Sequence, residues 1–406
     1  MTESEILIGL SVIVIGGVGA QWLARVLRVP GVLVLLATGF LAGSVTDVVN
    51  PDELLGDLLF PGVSLAVGLL LFDGGLQLDM RRIDKWTGVV TRLVTIGVLI
   101  TWFVGAITVA AVTDLTGRSA LLAGAILVVS GPTVVLPILE RVKPASPSGE
   151  ILEWEGILID PIGAMLGVIM LDVVLEGDGA VAAAGSVAAT VGFGCLAGLV
   201  GARLAVMVLR NPRTPESLAA PVTVALAVAS YTSVNLFFAE AGLFATTAMG
   251  VILANQRMVD TSRVKLFEEG VGVLAIGGLF IVLGARVSPA ELAPMIVPGL
   301  IVLAALVLVA RPLAVLASTW RSGLDRGSVG FVTSLAPRGI VAAATSSAFA
   351  LELEDHGFVD ESELLVPITF VVIVGAGFIY GLGAGPAAKW FGVSTTGSTE
   401  PAPSLE

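Results

Sequence analysis

Glu153-Trp154-Glu155-Gly156-Ile157-Leu158-Ile159-Asp160-Pro161-Ile162-Gly163-Ala164 sets carboxylates and a proline inside an apolar run that spans about 151 to 175. A run of that length can cross a hydrocarbon core roughly 30 Å thick. Counted from the inner end near Ile151, Asp160 lies nine residues along, or ~13 Å deep at about 1.5 Å per residue. A carboxylate near the bilayer centre costs at least ~2.5 to 3.5 kcal/mol even on the most lenient insertion scale, so its presence points to function. The plain alternative is a structural ion pair or a protonated packing residue. Pro161 is expected to free the Ile157 carbonyl and interrupt the helix locally.

The rest of the chain has the composition that such a helix requires. Of 406 residues, 56% are apolar and 13% charged, against roughly 45 to 50% and about 25% in soluble domains. The net charge of −12 lacks the basic footprint of a nucleic-acid binder. A single cysteine, Cys195, excludes an internal disulfide and a cysteine-based metal site. The lone histidine, His356, reads as a solvated residue of an acidic loop. Glu3 and Glu5 precede the first apolar stretch, where a cleavable signal would carry Lys or Arg, so that stretch is read as a retained span.

Apolar runs between charge clusters predict an all-α polytopic membrane protein of about 13 helices. They lie near 6–24, 31–49, 58–77, 88–111, 118–141, 151–175, 180–209, 218–238, 241–255, 270–286, 294–319, 328–351 and 364–388. The segment 217–255 is read as two helices turning at Glu240, Ala241 and Gly242, because basic loops on both flanks need an even number of crossings. Arg25, Arg28, Arg81, Arg82, Lys85, Arg141, Lys143, Arg210, Arg213, Arg257, Arg263, Lys265, Arg321, Arg326 and Lys389 fall on one side. By the positive-inside rule that side is the cytoplasm. Opposite loops hold Arg118 and Arg286 against many acids, Asp178 and Glu352 among them. The N-terminus is then outside a plasma membrane and the C-terminus inside. The tail 392–406, rich in Ser, Thr, Gly and Pro, is expected to be disordered.

Helix 5 of this count carries Ser130-Gly131-Pro132-Thr133, and helix 12 carries Ala336-Pro337-Arg338-Gly339, each near its middle. Proline removes a backbone donor and clashes with the carbonyl four residues earlier, so both helices should be kinked or unwound there. With helices 1 to 6 and 8 to 13 as two halves, each break falls in the fifth helix of its half. Corresponding interruptions of this kind point to a transporter site at the bilayer midplane.

Glu155 sits five residues before Asp160, about 140° around a regular helix, so the two carboxylates should face different partners. Arg338 is read as the cation near mid-depth, and a buried guanidinium demands a carboxylate. Its expected partner is Glu155, which leaves Asp160 free to titrate; pairing with Asp160 is the alternative. Arg92, Arg203 and Arg311 lie nearer cytoplasmic helix ends and are expected to snorkel. Asp73, four residues before the end of helix 3, is either a secondary cation ligand or an inner-surface charge. Gly194 and Gly198, like Gly381, Gly383 and Gly385, suit close helix packing.

Taken in order, these residues resemble the monovalent cation/proton antiporter family that contains the NhaP exchangers and the eukaryotic sodium/proton exchangers. The resemblance runs from about Val14 to Trp390. Its markers are Leu71-Phe72-Asp73-Gly74-Gly75-Leu76, Gly124-Ala125-Ile126, Ser130-Gly131-Pro132, Glu155 with Asp160, Gly284-Ala285, Arg311-Pro312 and Pro337-Arg338-Gly339-Ile340-Val341. It implies an NhaA-like fold of two inverted six-helix repeats with discontinuous helices 5 and 12 and a linking helix 7. One transmembrane domain over 1–391 would hold a mobile core (about 88–175 and 294–388) and interface helices (about 6–77 and 180–286) that form a homodimer. It also implies that Asp160 binds metal cation and proton in turn, that Glu155 pairs with Arg338, and that the Ser130 carbonyl and Asp73 assist. Ile159 and Gly131 depart from the Asn and Asp usual in the family.

The expected function is antiport of a monovalent cation, Na+ first with K+ or Li+ as alternatives, against H+, with no cofactor. Ile159 cannot titrate and Glu155 is assigned to Arg338, so one proton per cation and electroneutral exchange are expected. The rival from another class is an intramembrane aspartyl protease using Asp73 and Asp160, although neither has a Tyr-Asp or Gly-x-Gly-Asp context. A channel would show flux without proton coupling.

Overall fold

The computed structural model describes residues 2–27, 29–115, 117–176 and 180–393. Arg28, Asp178 and the tail from 394, each given a part above, lie outside them. The chain runs through α1 (Glu3–Leu27), α2 (Gly31–Val45), α3 (Pro51–Gln77), α4 (Thr87–Val112), α5 (Gly117–Ile126), α6 (Pro132–Val142), α7 (Ser148–Glu176) and α8 (Ala180–Leu209). It continues through α9 (Glu216–Asn235), α10 (Ala241–Asn255), α11 (Ser262–Ala285), α12 (Pro289–Thr319), α13 (Arg326–Thr333), α14 (Ile340–Asp355) and α15 (Val359–Trp390). Among the described residues nine helices are long and apolar enough to cross a bilayer, and α2 and α10 are shorter apolar ones. The pairs α5/α6 and α13/α14 are the two interrupted crossings.

Several boundaries differ from the reading of apolar runs. α11 begins at Ser262 rather than near 270, because Arg263, Lys265, Glu268 and Glu269 end an apolar run without ending the backbone hydrogen bonding. α7 runs unbroken through Pro161. The ring removes one donor there, and the turns on either side hold the helix, so Pro161 is not a break. Val393 is buried and its carbonyl accepts from the Ala145 N–H at 2.6 Å, so the packed chain extends past the expected tail boundary at 392.

Two packing groups result. α1, α2, α3, α8, α9, α10 and α11 pack among themselves, chiefly α8 and α3 on α10 and α1 and α2 on α11. α4–α7 and α12–α15 form the other group, chiefly α4 and α7 on α5 and α12 and α14 on α15. Small residues bring backbones together inside the first group: a Cβ on Gly75 of α3 would lie 2.7 Å from the Thr247 carbonyl of α10. Connections meet like with like. Asn255 Nδ2 donates to the Leu78 carbonyl at 2.8 Å on the basic-loop side, and Arg286 pairs with Asp52 at 3.1 Å on the other. Outward faces carry Leu7, Ile15, Trp22, Met207 and Leu308 exposed, a surface that lipid accepts and water does not.

Candidate functional site

The two interruptions face each other. Residues 127–131 leave the helix between α5 and α6, and 334–339 do so between α13 and α14. Pro132 occupies the first turn of α6, where a missing N–H costs nothing, with Gly131 extended as its N-cap. Gly339 is the extended N-cap of α14. A Cβ on Gly339 would come 3.0 Å from the Gly131 nitrogen, so the breaks cross in contact and the N-termini of α6 and α14 converge. Unpaired N–H groups at such ends favour negative charge.

Asp160 lies against this crossing. It is 0% exposed, and neither Oδ1 nor Oδ2 has a hydrogen-bond partner from the protein. A Cβ on Gly131 would sit 2.6 Å from Asp160 Oδ2, so this arrangement excludes a side chain at position 131. Thr133, two residues on, has a buried Oγ1 with no partner and would lie 3.4 Å from a Cβ on Gly339.

The opposite ends of the broken helices, which expose carbonyls, are held by arginines. Arg311 grips Glu155 with both terminal nitrogens, Nη2 at 2.9 Å from Oε2 and Nη1 on Oε1. It also donates from Nε (3.1 Å) and Nη2 (2.8 Å) to the Val332 carbonyl near the end of α13. Arg338 donates from Nη1 to the Val128 carbonyl just past α5, at 2.9 Å. The expected Glu155–Arg338 pair is therefore corrected: Glu155 belongs to Arg311. Arg338 sits inside a break, where freed carbonyls take its donors, while Arg311 lies eight residues from the end of α12, or ~12 Å inward, too deep to snorkel. Its five-donor fork serves carboxylate and carbonyl together. Arg203, by contrast, is exposed, and Arg92 reaches the Trp320 carbonyl at an exposed helix end. Ser130 lines, with Thr101, Glu155, Arg311 and Arg338, a cavity of about 10 Å³, room for about one water.

Asp73 stands apart from this cluster. It is half-buried, accepts from Gln77 Nε2 at 3.3 Å, and has Glu140, Lys265, Glu268 and Glu269 as its charged neighbours. Neither Asp160 oxygen has a hydrogen-bond partner, so the two aspartates form no hydrogen-bonded dyad. The next residue, Gly74, does approach the site: a Cβ there would meet Ile157 at 3.3 Å and Pro132 at 3.6 Å. Among the described residues no group of three His, Cys, Asp or Glu could hold a metal ion.

A cavity of about 560 Å³ enters from the basic-loop side between α1, α2, α6 and α11, past Arg25, Glu140 and Arg141, and reaches Thr133. On the opposite side a space of about 40 Å³ lies between α3 and α14, lined by Ser64, Glu240 and Thr345. Arg311 and Thr133 are the members of the site that sequence reasoning missed, and outside the site it also missed the buried Glu268. The depth of Arg311 in its helix was the available signal for the first; Glu268 was hidden in a stretch read as loop.

The family described as sodium/hydrogen exchanger, transmembrane, matches residues 10–390. The K(+)/H(+) antiporter NhaP of Alkalimonas amylolytica is 27% identical over 94% of this chain and 67% of its own length. The K(+)/H(+) antiporter NhaP2 of Shewanella sp. (strain MR-4) is 26% identical over 71% of this chain, which spans half of that relative. The probable Na(+)/H(+) antiporter 2 of Methanocaldococcus jannaschii is 24% identical over 86% of this chain and 85% of its own. The solved sodium proton antiporter MjNhaP1 from the same archaeon superposes with a TM-score of 0.83 at 20% identity, covering 95% of this chain and 99% of that one.

Proposed function

Because the chain belongs to the sodium/hydrogen exchanger transmembrane family, a family of transporters and not of enzymes, we propose that it exchanges a monovalent cation for H+, with Asp160 holding the two in turn. One observation carries this reading: a carboxylate with no exposure and no protein donor lies where two helix breaks cross. Burying a charge unpaired is costly, and either a proton or a cation relieves that cost, so the two compete for one group. The Ser130 carbonyl, in the break beside Gly131, and the Thr133 hydroxyl are neutral oxygens suited to a hard cation. Asp73 serves the approach rather than the Asp160 pocket.

Alternating exposure follows if α4–α7 and α12–α15 move as a body against α1–α3 and α8–α11, with the latter helices pairing two copies. Basic loops in the cytoplasm put the large cavity on the inner face of a plasma membrane. Na+ is the cation of the first reading. K+ is the second, favoured by the names of the bacterial relatives. The test is dissipation of a pH gradient in proteoliposomes on adding Na+, K+ or Li+ separately. Wild type should respond to at least one of them and Asp160→Asn to none; a response kept by Asp160→Asn would sink the reading.

A further inference from the structure

Glu268 of α11 takes no part in the site described above, yet it is 1% exposed and its Oε1 has no hydrogen-bond partner. It lies six residues into α11, ~9 Å from that end, while Asp73 lies four residues from the end of α3, ~6 Å from it. Both ends are on the basic-loop side, so the two carboxylates share a depth. One turn beyond Glu268, Gly272 faces α3: a Cβ there would lie in ordinary contact, 3.7 Å from Asp73 Oδ2. Asp73 is also the charged neighbour that acts on Glu268.

We propose that Glu268 and Asp73 form a second, weak binding site for the transported monovalent cation, fixed on the α1–α3/α8–α11 group at the basic-loop face. Two neighbouring carboxylates, one buried and one half-buried, repel, and a cation between them relieves both. The other charged groups acting on Asp73 are Glu140, Glu269 and Lys265, of which both glutamates are exposed, and the Gln77 amide is its hydrogen-bond donor. Carboxylate oxygens are ligands suited to a hard cation. Neither α3 nor α11 belongs to the group that carries Asp160, so the second site stays at one face throughout the cycle. It concentrates cation at that face before transfer. The identity of the ion as cargo rests on the antiport reading.

The first measurement is the cation KM at each face, in proteoliposomes of known orientation. Glu268→Gln and Asp73→Asn should each raise KM at the basic-loop face by roughly five- to tenfold, with KM at the other face and kcat kept. The double variant should be no worse than the more severe single one, as for one shared site. An unchanged KM, or an equal rise at both faces, overturns the proposal. The second measurement is thermal unfolding of Asp160→Asn protein in nanodiscs, in NaCl or KCl against choline chloride. The transition should still rise with Na+ or K+, and this response should vanish in Asp160→Asn/Glu268→Gln. No response in Asp160→Asn alone, or a response that survives in the double variant, removes the second site and leaves the exchange reading standing. Wild type without any cation-driven H+ flux, but with a response dependent on Glu268, sinks the exchange reading and leaves a cation site.

Discussion

Glu155 and Arg311 form a buried pair, while Arg338 bonds a backbone carbonyl, so their removal leaves different things behind. Taking away the carboxylate strands a buried guanidinium, a loss of about 3 to 5 kcal/mol. Taking away Arg338 strands the Val128 carbonyl, at about 1 to 3 kcal/mol. Glu155→Gln should therefore lower the denaturation midpoint of the purified protein well beyond Arg338→Met, and Glu155→Gln/Arg311→Met should recover part of the loss. Equal losses from Glu155→Gln and Arg338→Met would place the pair elsewhere. Asp160 was legible in the sequence because depth along an apolar run is a matter of counting. The partner of Glu155 was not, since two arginines at similar depth are separated only by how α7, α12 and the α13/α14 break rotate against one another.

Helix breaks are where sequence and structure agree most closely, and also where they part. Gly131-Pro132 and Pro337 lie in interruptions that their chemistry announces, while Pro161 does not interrupt α7 because its neighbouring turns are packed on both sides. Gly131→Ala would set a methyl 2.6 Å from Asp160 Oδ2, so antiport should fall by at least about tenfold, the scale of a small displacement at a reacting group. Gly19→Ala, with nothing within 4 Å, should leave transport unchanged. At the start of α13, the Asp325 carboxylate accepts from the Ser328 N–H at 2.9 Å. Hydrogen bonds from the Ser328 side chain and backbone hold it below the usual Asp range. A depressed value contributes stability above the ordinary Asp range and loses it as pH falls through the folded value. Asp325→Ala should cost about 0.5 to 1 kcal/mol at neutral pH, as for an exposed cap, and the difference should disappear in acid. A gap between the two proteins that does not narrow on acidification would contradict this.

At the scale of the whole molecule, access to the centre is lopsided: about 560 Å³ on one side against about 40 Å³ on the other. With Cys195 replaced by Ser, Thr133→Cys should react with an impermeant maleimide from the basic-loop side, and Ser64→Cys, applied from the opposite side, far more slowly. Similar rates would mean the cavity is not the path. With Ile159 apolar and Glu155 held by Arg311, the proposed exchange leaves Asp160 as the one carboxyl group at the crossing to take both ions. Exchange in proteoliposomes should then generate no membrane potential. Arg311, Arg338 and Glu155 belong to the same helix group as Asp160, and the hydrogen bonds that join them to Val332, to Val128 and to one another stay within it. If the groups move as proposed, Arg311, Arg338 and Glu155 travel with Asp160 and keep these bonds through the stroke. What the carrier must overcome is sliding friction between oily faces, so turnover should track bilayer thickness and fluidity.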